Sequence, residues 1–337
     1  MKPVHKVIGL VLLCTVIVGG VVFSLPKLLV LRVEREQQKA FSAMSAQFPI
    51  TVDPRNKIIT ENEQVNAYFE DARSPLSAAV GNTGQILAGI FEWIALTIAA
   101  APWYQNLAAA DTRLVAITPG MRKEQVASTF GSALAWSSKQ KKEFTTATTY
   151  SNLPLPEGSF SPGIYSIPIS TTPIMAQAMV NERFGKDVLS HYGTTTAQVV
   201  PLTQALTIAS LIEREAGGAD DMRIISGIIW NRLFINMPLQ IDATLQYAKA
   251  NTAATQSWWP GVVPADRFRT SLYNTYLHRG LPPTPISNPS VAAILAALNP
   301  RNTACLFYFH DASRQFHCSD TYAEHVALLK KYFGRGN

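Results

Sequence analysis

Apolar and polar positions first separate an N-terminal segment from the rest of the chain. Residues 7–25 are apolar or small and carry no charge, whereas Lys2 and Lys6 precede them. A run of about 19 such residues is long enough to cross a bilayer. The chain beyond it lacks the small-x-small exit of a cleaved signal peptide. The pattern predicts an uncleaved transmembrane anchor over 7–25, behind a basic cytoplasmic tip of residues 1–6 that orients the N-terminus inward.

The next stretch, residues 26–110, mixes polar and apolar segments without a strand-like alternation. Residues 32–47 read as a polar helical stalk, and residues 48–74 as polar and irregular. Residues 86–101 are apolar but contain Glu92, and they are short for a membrane span. A buried or interfacial helix is favoured over a second span there. We therefore expect a stalk and a membrane-proximal helical region.

Residues 111–185 alternate strand-like and helical patterns. A short apolar strand is predicted over 114–117 and an amphipathic helix over 122–134. The turn-rich segment 157–165 leads into a second strand, and a helix follows over 172–184. This order predicts a small α+β module.

From residue 198 the helical periodicity becomes denser. Ser319 and Asp320 precede the last helical run and are expected to cap it. The predicted elements are helices over 201–216, 221–236 and 289–298, a hairpin of 306–310 with 315–317, and a helix over 319–333.

Composition limits the function classes. The chain has 337 residues, of which 47% are hydrophobic and 15% charged, with a net charge of +6. That length suffices for two modest domains. The charge suits an anionic polymer or membrane surface. The chain has no Lys/Arg run interleaved with aromatic residues, so nucleic acid is not indicated as a partner. No Cys/His spacing indicates a metal, and no cofactor is expected.

The cysteines leave one question open. Cys14 lies in the predicted anchor, whereas Cys305 and Cys318 flank the predicted hairpin. An oxidising compartment would allow the latter two to pair, although the predicted register of the hairpin places them slightly out of opposition. Two buried free thiols are the alternative.

The most informative stretch for chemistry is 208–217, which places Glu213 and Glu215 in an otherwise apolar helical run ending at Gly217. A carboxyl group among apolar side chains has a raised pKa, as a general acid requires near neutral pH. Residues two apart point about 200° away from each other on a helix. At most one of the two acids therefore faces a given cleft. The alternative is a buried helix with one surface glutamate and one salt-bridged glutamate.

Several blocks, in order and spacing, resemble the YceG-like family of endolytic murein transglycosylases. The resemblance covers residues 202 to the C-terminus closely, covers 117–134 with 157–167 more loosely, and is poor over 40–110. The blocks are 206–216 (LTIASLIEREA), 231–233 (NRL), 237–244 (MPLQIDAT), 273–276 (YNTY), 279–283 (RGLPP), 285–289 (PISNP), 296–300 (AALNP) and 307–309 (FYF).

The resemblance implies an α+β protein with an N-terminal membrane anchor, a partial LysM-like module over 111–185, and a catalytic domain of helices and a β-hairpin over 198–337. It implies a periplasm-facing enzyme of the bacterial inner membrane that cleaves MurNAc–GlcNAc bonds without water, leaving 1,6-anhydroMurNAc ends. Glu215 matches the family's catalytic glutamate. The implied partners are peptidoglycan glycan strands, the inner membrane and peptidoglycan synthases.

The remaining matching residues are expected to line the substrate cleft. Their alternative role is structural, in turns, caps and packing. Ile241 and Ala243 stand where the family commonly has Thr and Pro, so the local loop is expected to differ. The expected substrate-binding residues are Gln240, Asp242, Thr244, Tyr273, Asn274, Thr275, Tyr276 and Asn288.

Arg232 and His317 have open roles. Arg232 is expected either to pair with Glu213 or Asp242 or to remain solvated. His317, in the predicted hairpin, either approaches the cleft or is structural.

Two rival functions remain. One is a catalytically silent, membrane-anchored scaffold that binds peptidoglycan. The other is a hydrolase that activates water, which needs a second carboxylate near Glu215. Asp242 is the candidate for that carboxylate.

Overall fold

The computed structural model describes residues 47–71, 112–146, 156–250 and 257–334. It shows a mixed α+β protein in which small antiparallel sheets accompany a larger set of helices. The predicted anchor, the apolar segment 86–101 and nearly all of the predicted stalk lie outside these residues. Inside them, no helix combines the length and the apolar character needed to cross a bilayer.

The elements are numbered in chain order. The helices of the described ranges are α1 (Glu63–Asp71), α2 (Lys123–Ala133), α3 (Ser138–Thr146), α4 (Pro173–Phe184), α5 (Thr194–Val199), α6 (Leu202–Glu215), α7 (Ala219–Phe234), α8 (Asp242–Ala250), α9 (Val291–Leu298) and α10 (Tyr322–Phe333). The antiparallel strand pairs are β1 (Val52–Asp53) with β2 (Ile58–Ile59), β3 (Thr112–Ile117) with β4 (Gly163–Pro168), and β5 (Phe307–His310) with β6 (Phe316–Ser319).

Helix α6 lies at the centre of the larger core. Every residue from Ala205 to Ile212 is buried, and the hydroxyls of Thr207 and Ser210 within this run donate to backbone carbonyls of the same helix. It packs against α7 and α9, and the indole of Trp230 on α7 donates to the carbonyl of Ala297 on α9 at 2.9 Å. The position of the last turn of α6 is therefore fixed by the core.

The segment before residue 72 joins this core and is more regular than its polar sequence predicted. The β1–β2 hairpin and α1 bury Val52, Val65 and Phe69. The guanidinium of Arg223 on α7 donates to the Glu61 carboxylate at 2.9 Å and to the Asn299 carbonyl at 2.8 Å. These long-range contacts give the segment an order that its local pattern does not specify.

A second core belongs to the smaller module. Strands β3 and β4 pair from Thr112↔Pro168 to Ile117↔Gly163, and α2 and α3 lie between them in sequence. The core is mainly aromatic: Phe130 stacks on Phe144 with ring centroids 5.0 Å apart. Helix α4 begins where Thr172 accepts a hydrogen bond from the Met175 amide.

The two cores meet at the Asn288 side chain, which is fully buried. Its Oδ1 accepts from the amides of Gly158 and Phe160 at 3.0 and 2.9 Å. Its Nδ2 donates to the Met121 carbonyl at 2.9 Å and to Glu157 at 3.1 Å. A single amide thus ties the smaller module to the segment before α9.

The C-terminal hairpin is closed by a disulfide. Cys305 and Cys318 are bonded, with Cα atoms 5.8 Å apart, so the alternative of two free thiols is wrong. Helix α10 is capped by Thr321, which accepts from the Glu324 amide, and not by Ser319, which ends β6.

Besides α1, three further helices were not predicted. Helix α3 is strongly polar, and α5 is a short run of mostly polar residues. Helix α8 begins at Asp242, inside the 237–244 block whose residues were expected to line the substrate cleft. All three depend on neighbouring elements, because propensity alone seldom holds helices this short.

Glu157 is buried beside Asn288, where the two cores meet, and its burial predicts a pH-dependent stability. Burial, with the Glu124 carboxylate nearby, raises its pKa to about 8, above the 4.5 of an exposed glutamate. Between these values the folded state binds a proton that the unfolded state lacks. The free energy of unfolding should therefore fall as pH rises from 4.5 to 8, by at most about 1.4 kcal/mol per unit.

Urea unfolding at several pH values measures this slope. We expect the fall in unfolding free energy with pH to be smaller in Glu157→Gln. Glu182→Gln, at an exposed position on α4, should show the same fall as wild type. Equal slopes in wild type and Glu157→Gln would mean that Glu157 is ionised in the folded protein.

Candidate active site

The last turn of α6 sends its two carboxyl groups in different directions, as the helical spacing predicted. Glu213 turns toward α9. Its Oε2 accepts hydrogen bonds from the amide of Ser290 at 2.9 Å and from its hydroxyl at 2.6 Å. The same hydroxyl accepts from the Ala293 amide and caps α9. Glu213 therefore has a structural role at the start of a neighbouring helix.

Glu215 is the last residue of α6, and its carboxyl group faces other elements. Its Oε2 accepts from the hydroxyl of Tyr308 on β5 at 2.8 Å, and the backbone N–H of Ala243 donates to the same carboxyl group. Burial raises the pKa of Glu215, and the Asp242 carboxylate raises it further. The bonds from Tyr308 and Ala243, and the nearby His310, lower it without reversing the shift.

Asp242 opens α8 beside Glu215 and is exposed. The hydroxyl of Tyr276 donates to its Oδ1 at 2.6 Å. The structure thus brings together three predicted residues, Glu215, Asp242 and Tyr276. Two carboxyl groups in different environments are an arrangement in which one can hold a proton while the other stays ionised.

The polar residues that follow α6 fix its end. The backbone leaves the helix at Ala216. The amides of Gly217 and Gly218 both donate to the Asp221 carboxylate, at 2.9 and 3.2 Å. Asp221 also bonds to His310 on β5 at 2.6 Å, so one carboxylate connects the end of α6 to the strand that carries Tyr308.

Arg232 holds this strand in place from α7. Its guanidinium donates to the carbonyl of Leu306 at 2.6 Å and to those of Pro238 and Leu239. It pairs with neither Glu213 nor Asp242, and it is buried. Arg232 thus positions the strand by bonding to backbone carbonyls, and the sequence pattern does not predict these contacts.

Three residues expected to bind substrate are internal. Asn274 is fully buried, with its Nδ2 donating to the carbonyls of Arg267 and Arg269. Thr244 and Thr275 are buried and lie 3.0 Å apart, hydroxyl to hydroxyl. Their polar groups are bonded within the protein and shape the turn that presents Tyr276, which is the structural role given above as the alternative.

The other expected residues are divided. Asn288 is buried at the junction described above and does not reach solvent. Gln240 is exposed and has a positive φ of 54°. Tyr273 is partly buried, with its hydroxyl 2.7 Å from that of Thr284 and its ring 4.8 Å from that of Tyr247.

His317 is part of the hairpin itself. Its Nε2 lies 2.8 Å from the Asp311 carboxylate, and its ring lies 4.2 Å from that of Tyr332 on α10. The residues that sequence reasoning did not single out are Tyr308 and His310 on the facing strand. The match of 307–309 to a family block was the one signal for Tyr308.

A raised-pKa carboxyl group, a second carboxylate and hydroxyl donors close to one another are typical of enzymes that cleave glycosidic bonds by acid–base catalysis. The model of the YceG-like family matches residues 55–331. The chain belongs to the YceG-like family.

Relatives carry a more specific name. A protein of Streptococcus pneumoniae named endolytic murein transglycosylase is 32% identical over 160 residues, which is 47% of this chain and 28% of the relative. One of Bacillus subtilis with the same name is 29% identical over 244 residues, 66% of each chain. The chain thus spans less than two thirds of either relative's length.

The fold has a solved counterpart. The crystal structure of a YceG-like protein from Listeria monocytogenes aligns with a TM-score of 0.52 at 24% identity, covering 71% of this chain and 80% of that one. This similarity supports the fold.

The contacts of Glu213 predict a loss of stability when it is shortened. In Glu213→Ala the amide and hydroxyl of Ser290 lose their acceptor, and we expect unfolding to become easier by about 1–3 kcal/mol. Thermal unfolding measures the change. Glu213→Gln, which keeps one acceptor oxygen, should lose less. If both variants melt like the wild type, Ser290 has found another acceptor and Glu213 does not hold α9.

Proposed function

We propose that the protein is an endolytic lytic transglycosylase of peptidoglycan that cleaves MurNAc–GlcNAc bonds and leaves 1,6-anhydroMurNAc ends. The observation that carries the proposal is the Glu215 carboxyl group, which has a raised pKa at the end of a buried helix and faces Tyr308 and Asp242. The family match and the names of the relatives support the same reaction.

In the first step Glu215 acts as the acid. Its raised pKa favours the protonated carboxyl group that an acid catalyst needs. The proton passes to the oxygen of the scissile glycosidic bond, and the bond between that oxygen and the anomeric carbon of MurNAc breaks. Glu215 is left as a carboxylate beside an electron-poor sugar ring.

In the second step the same carboxylate acts as the base. It takes the proton from the C6 hydroxyl of the MurNAc ring, and the oxygen of that hydroxyl attacks the anomeric carbon. The new bond forms within one sugar, so no water enters the product and Glu215 regains its proton. An internal nucleophile gains from proximity, and a single carboxyl group suffices for both steps.

Tyr308 and Ala243 act on Glu215 after it has given up its proton and before it takes one back. Their hydrogen bonds to Glu215 stabilise its carboxylate, whereas burial stabilises the protonated acid. The two influences oppose each other, which favours a carboxyl group that can both give and retake a proton.

Hydrolysis is the second candidate because the structure places another carboxylate, Asp242, at the same site. An exposed carboxylate can activate a water molecule for attack on the anomeric carbon. The products differ in mass, since a hydrolytic end carries one more water than an anhydro end. A silent scaffold is less well supported, because it gives no reason for the Glu215–Tyr308 bond.

The proposed location is the periplasmic side of the bacterial inner membrane, with residues 7–25 as the anchor and the N-terminus in the cytoplasm. The Cys305–Cys318 disulfide supports an oxidising compartment for the catalytic domain. We propose that residues 111–185 serve as a LysM-like glycan-binding module and that peptidoglycan synthases are partners. A C-terminal reporter active only in the cytoplasm would overturn the topology.

Glu215→Gln should abolish cleavage because it keeps the shape of the side chain and removes the transferable proton. The measurement is mass spectrometry of products from un-crosslinked glycan strands incubated with the full chain. We expect wild type to release internal fragments ending in 1,6-anhydroMurNAc. The variant should be slower by at least about 1,000-fold, a loss of roughly 4 kcal/mol in transition-state stabilisation.

The matched control is Glu213→Gln, assayed below its melting temperature, which should retain cleavage. Ends one water heavier would replace the transglycosylase by the hydrolase and direct attention to Asp242. Full activity in Glu215→Gln would remove Glu215 from the mechanism.

Tyr308→Phe should move the pH profile of cleavage. The change removes a donor that lowers the pKa of Glu215, so that pKa should rise. The acid step needs protonated Glu215 and fails as pH exceeds its pKa. The alkaline limb of kcat should therefore move to higher pH, with a lower kcat. Tyr322→Phe, on an exposed residue of α10, controls for a general effect, and an unmoved limb would reduce Tyr308 to packing.

A further inference from the structure

A cavity of about 300 Å³ lies beyond the end of α6, between α1, the first turn of α7 and the C-terminal hairpin. Its apolar lining includes Phe69, Ile224 and Phe316. Glu70 and Arg301, both exposed, add opposite charges. A volume of this size lies at the lower end of the range for small-molecule sites.

The cavity is connected to the proposed reaction centre through Asp221. Asp221 lines the cavity and accepts the amides of Gly217 and Gly218, which follow Glu215 by two and three residues. It also bonds to His310, which lies near Glu215. Asp221 therefore bridges the lining of the cavity and the backbone that directly follows Glu215.

The polar groups of the lining differ in how far they are already engaged. Asp221 is bonded to two amides and to His310, and Arg223 is bonded to Glu61 and to the Asn299 carbonyl. Within the described ranges, neither Arg301 nor Glu70 makes a side-chain hydrogen bond. Arg301 acts electrostatically on Glu61, and Glu70 acts on Arg223. Because no hydrogen bond within those ranges holds either side chain, the two can meet a ligand that has both a carboxylate and an ammonium group.

We propose that this cavity binds the peptide stem of the MurNAc residue next to the cleaved bond. The proposal rests on the proposed function and names the part of the substrate that is recognised. A stem offers methyl groups, which suit the apolar lining, and charges of both signs, which suit Arg301 and Glu70. Because the stem is attached to the sugar that Glu215 acts on, occupation of the cavity would position that sugar in the site.

The test compares two forms of the same un-crosslinked strands, one with intact stems and one freed of them by an amidase. With full-length wild type we expect about a tenfold lower KM for the stem-bearing strands. Arg301→Ala should remove that preference by raising the KM for stem-bearing strands, and should leave cleavage of the bare strands unchanged. Lys330→Ala, which removes an exposed charge on α10, should keep the preference.

A second measurement separates this proposal from the proposed function. Calorimetric titration of the full chain with a soluble disaccharide-peptide and with the bare disaccharide reports binding whether or not cleavage occurs. We expect tighter binding of the disaccharide-peptide, weakened about tenfold by Arg301→Ala and also weakened by Glu70→Gln.

The outcomes are distinct. Absence of anhydro products with a retained binding preference overturns the transglycosylase and leaves the stem site standing. Equal KM and equal binding for both forms in wild type overturn the stem site. Equal losses on both forms in Arg301→Ala overturn it as well, because Arg301 would then serve the glycan or the fold. The backbone amide of Arg301, and not its side chain, bonds to the Arg223 carbonyl, so the variant is expected to fold.

Discussion

The burial of helix α6 is the constraint on which the site depends. Eight consecutive residues from Ala205 to Ile212 are enclosed on all sides, so the helix cannot shift without opening the core. Its last residue carries the carboxyl group of Glu215 to the edge of that core, where water solvates it poorly. The same packing that stabilises the fold therefore supplies the raised pKa that an acid catalyst needs.

Burial alone would make the carboxyl group of Glu215 difficult to ionise. Hydrogen-bond donors from the surrounding elements partly offset this rise in its pKa. Strand β5 brings Tyr308 within 2.8 Å of Glu215, and the start of α8 brings the Ala243 amide. The Arg232 guanidinium donates a hydrogen bond to the carbonyl of Leu306, the residue before β5, and the disulfide closes the hairpin. Glu215 is thus held between an environment that favours its proton and donors that favour its loss.

The regular parts of the fold were predictable where one local signal was sufficient. The apolar periodicity located α6, α7 and α9, and the hairpin followed from its turn. The signal failed for α8 and for the segment of β1, β2 and α1, which are short and polar and owe their order to distant partners such as Arg223. It also misplaced the cap of α10 by two residues, a common error at helix ends.

The sequence by itself determined that Glu213 and Glu215 point apart, because residues two apart on a helix are separated by about 200°. It also marked the motif blocks of the family. Only the tertiary structure decided which partner each acid meets. Ser290, which bonds to Glu213, lies 77 positions further along the chain, and Tyr308, which bonds to Glu215, lies 93 positions further along. The tertiary structure likewise turned Asn274 and Asn288 inward. Periodicity specifies the direction of a side chain on its own helix, whereas the partner it meets depends on how distant elements pack.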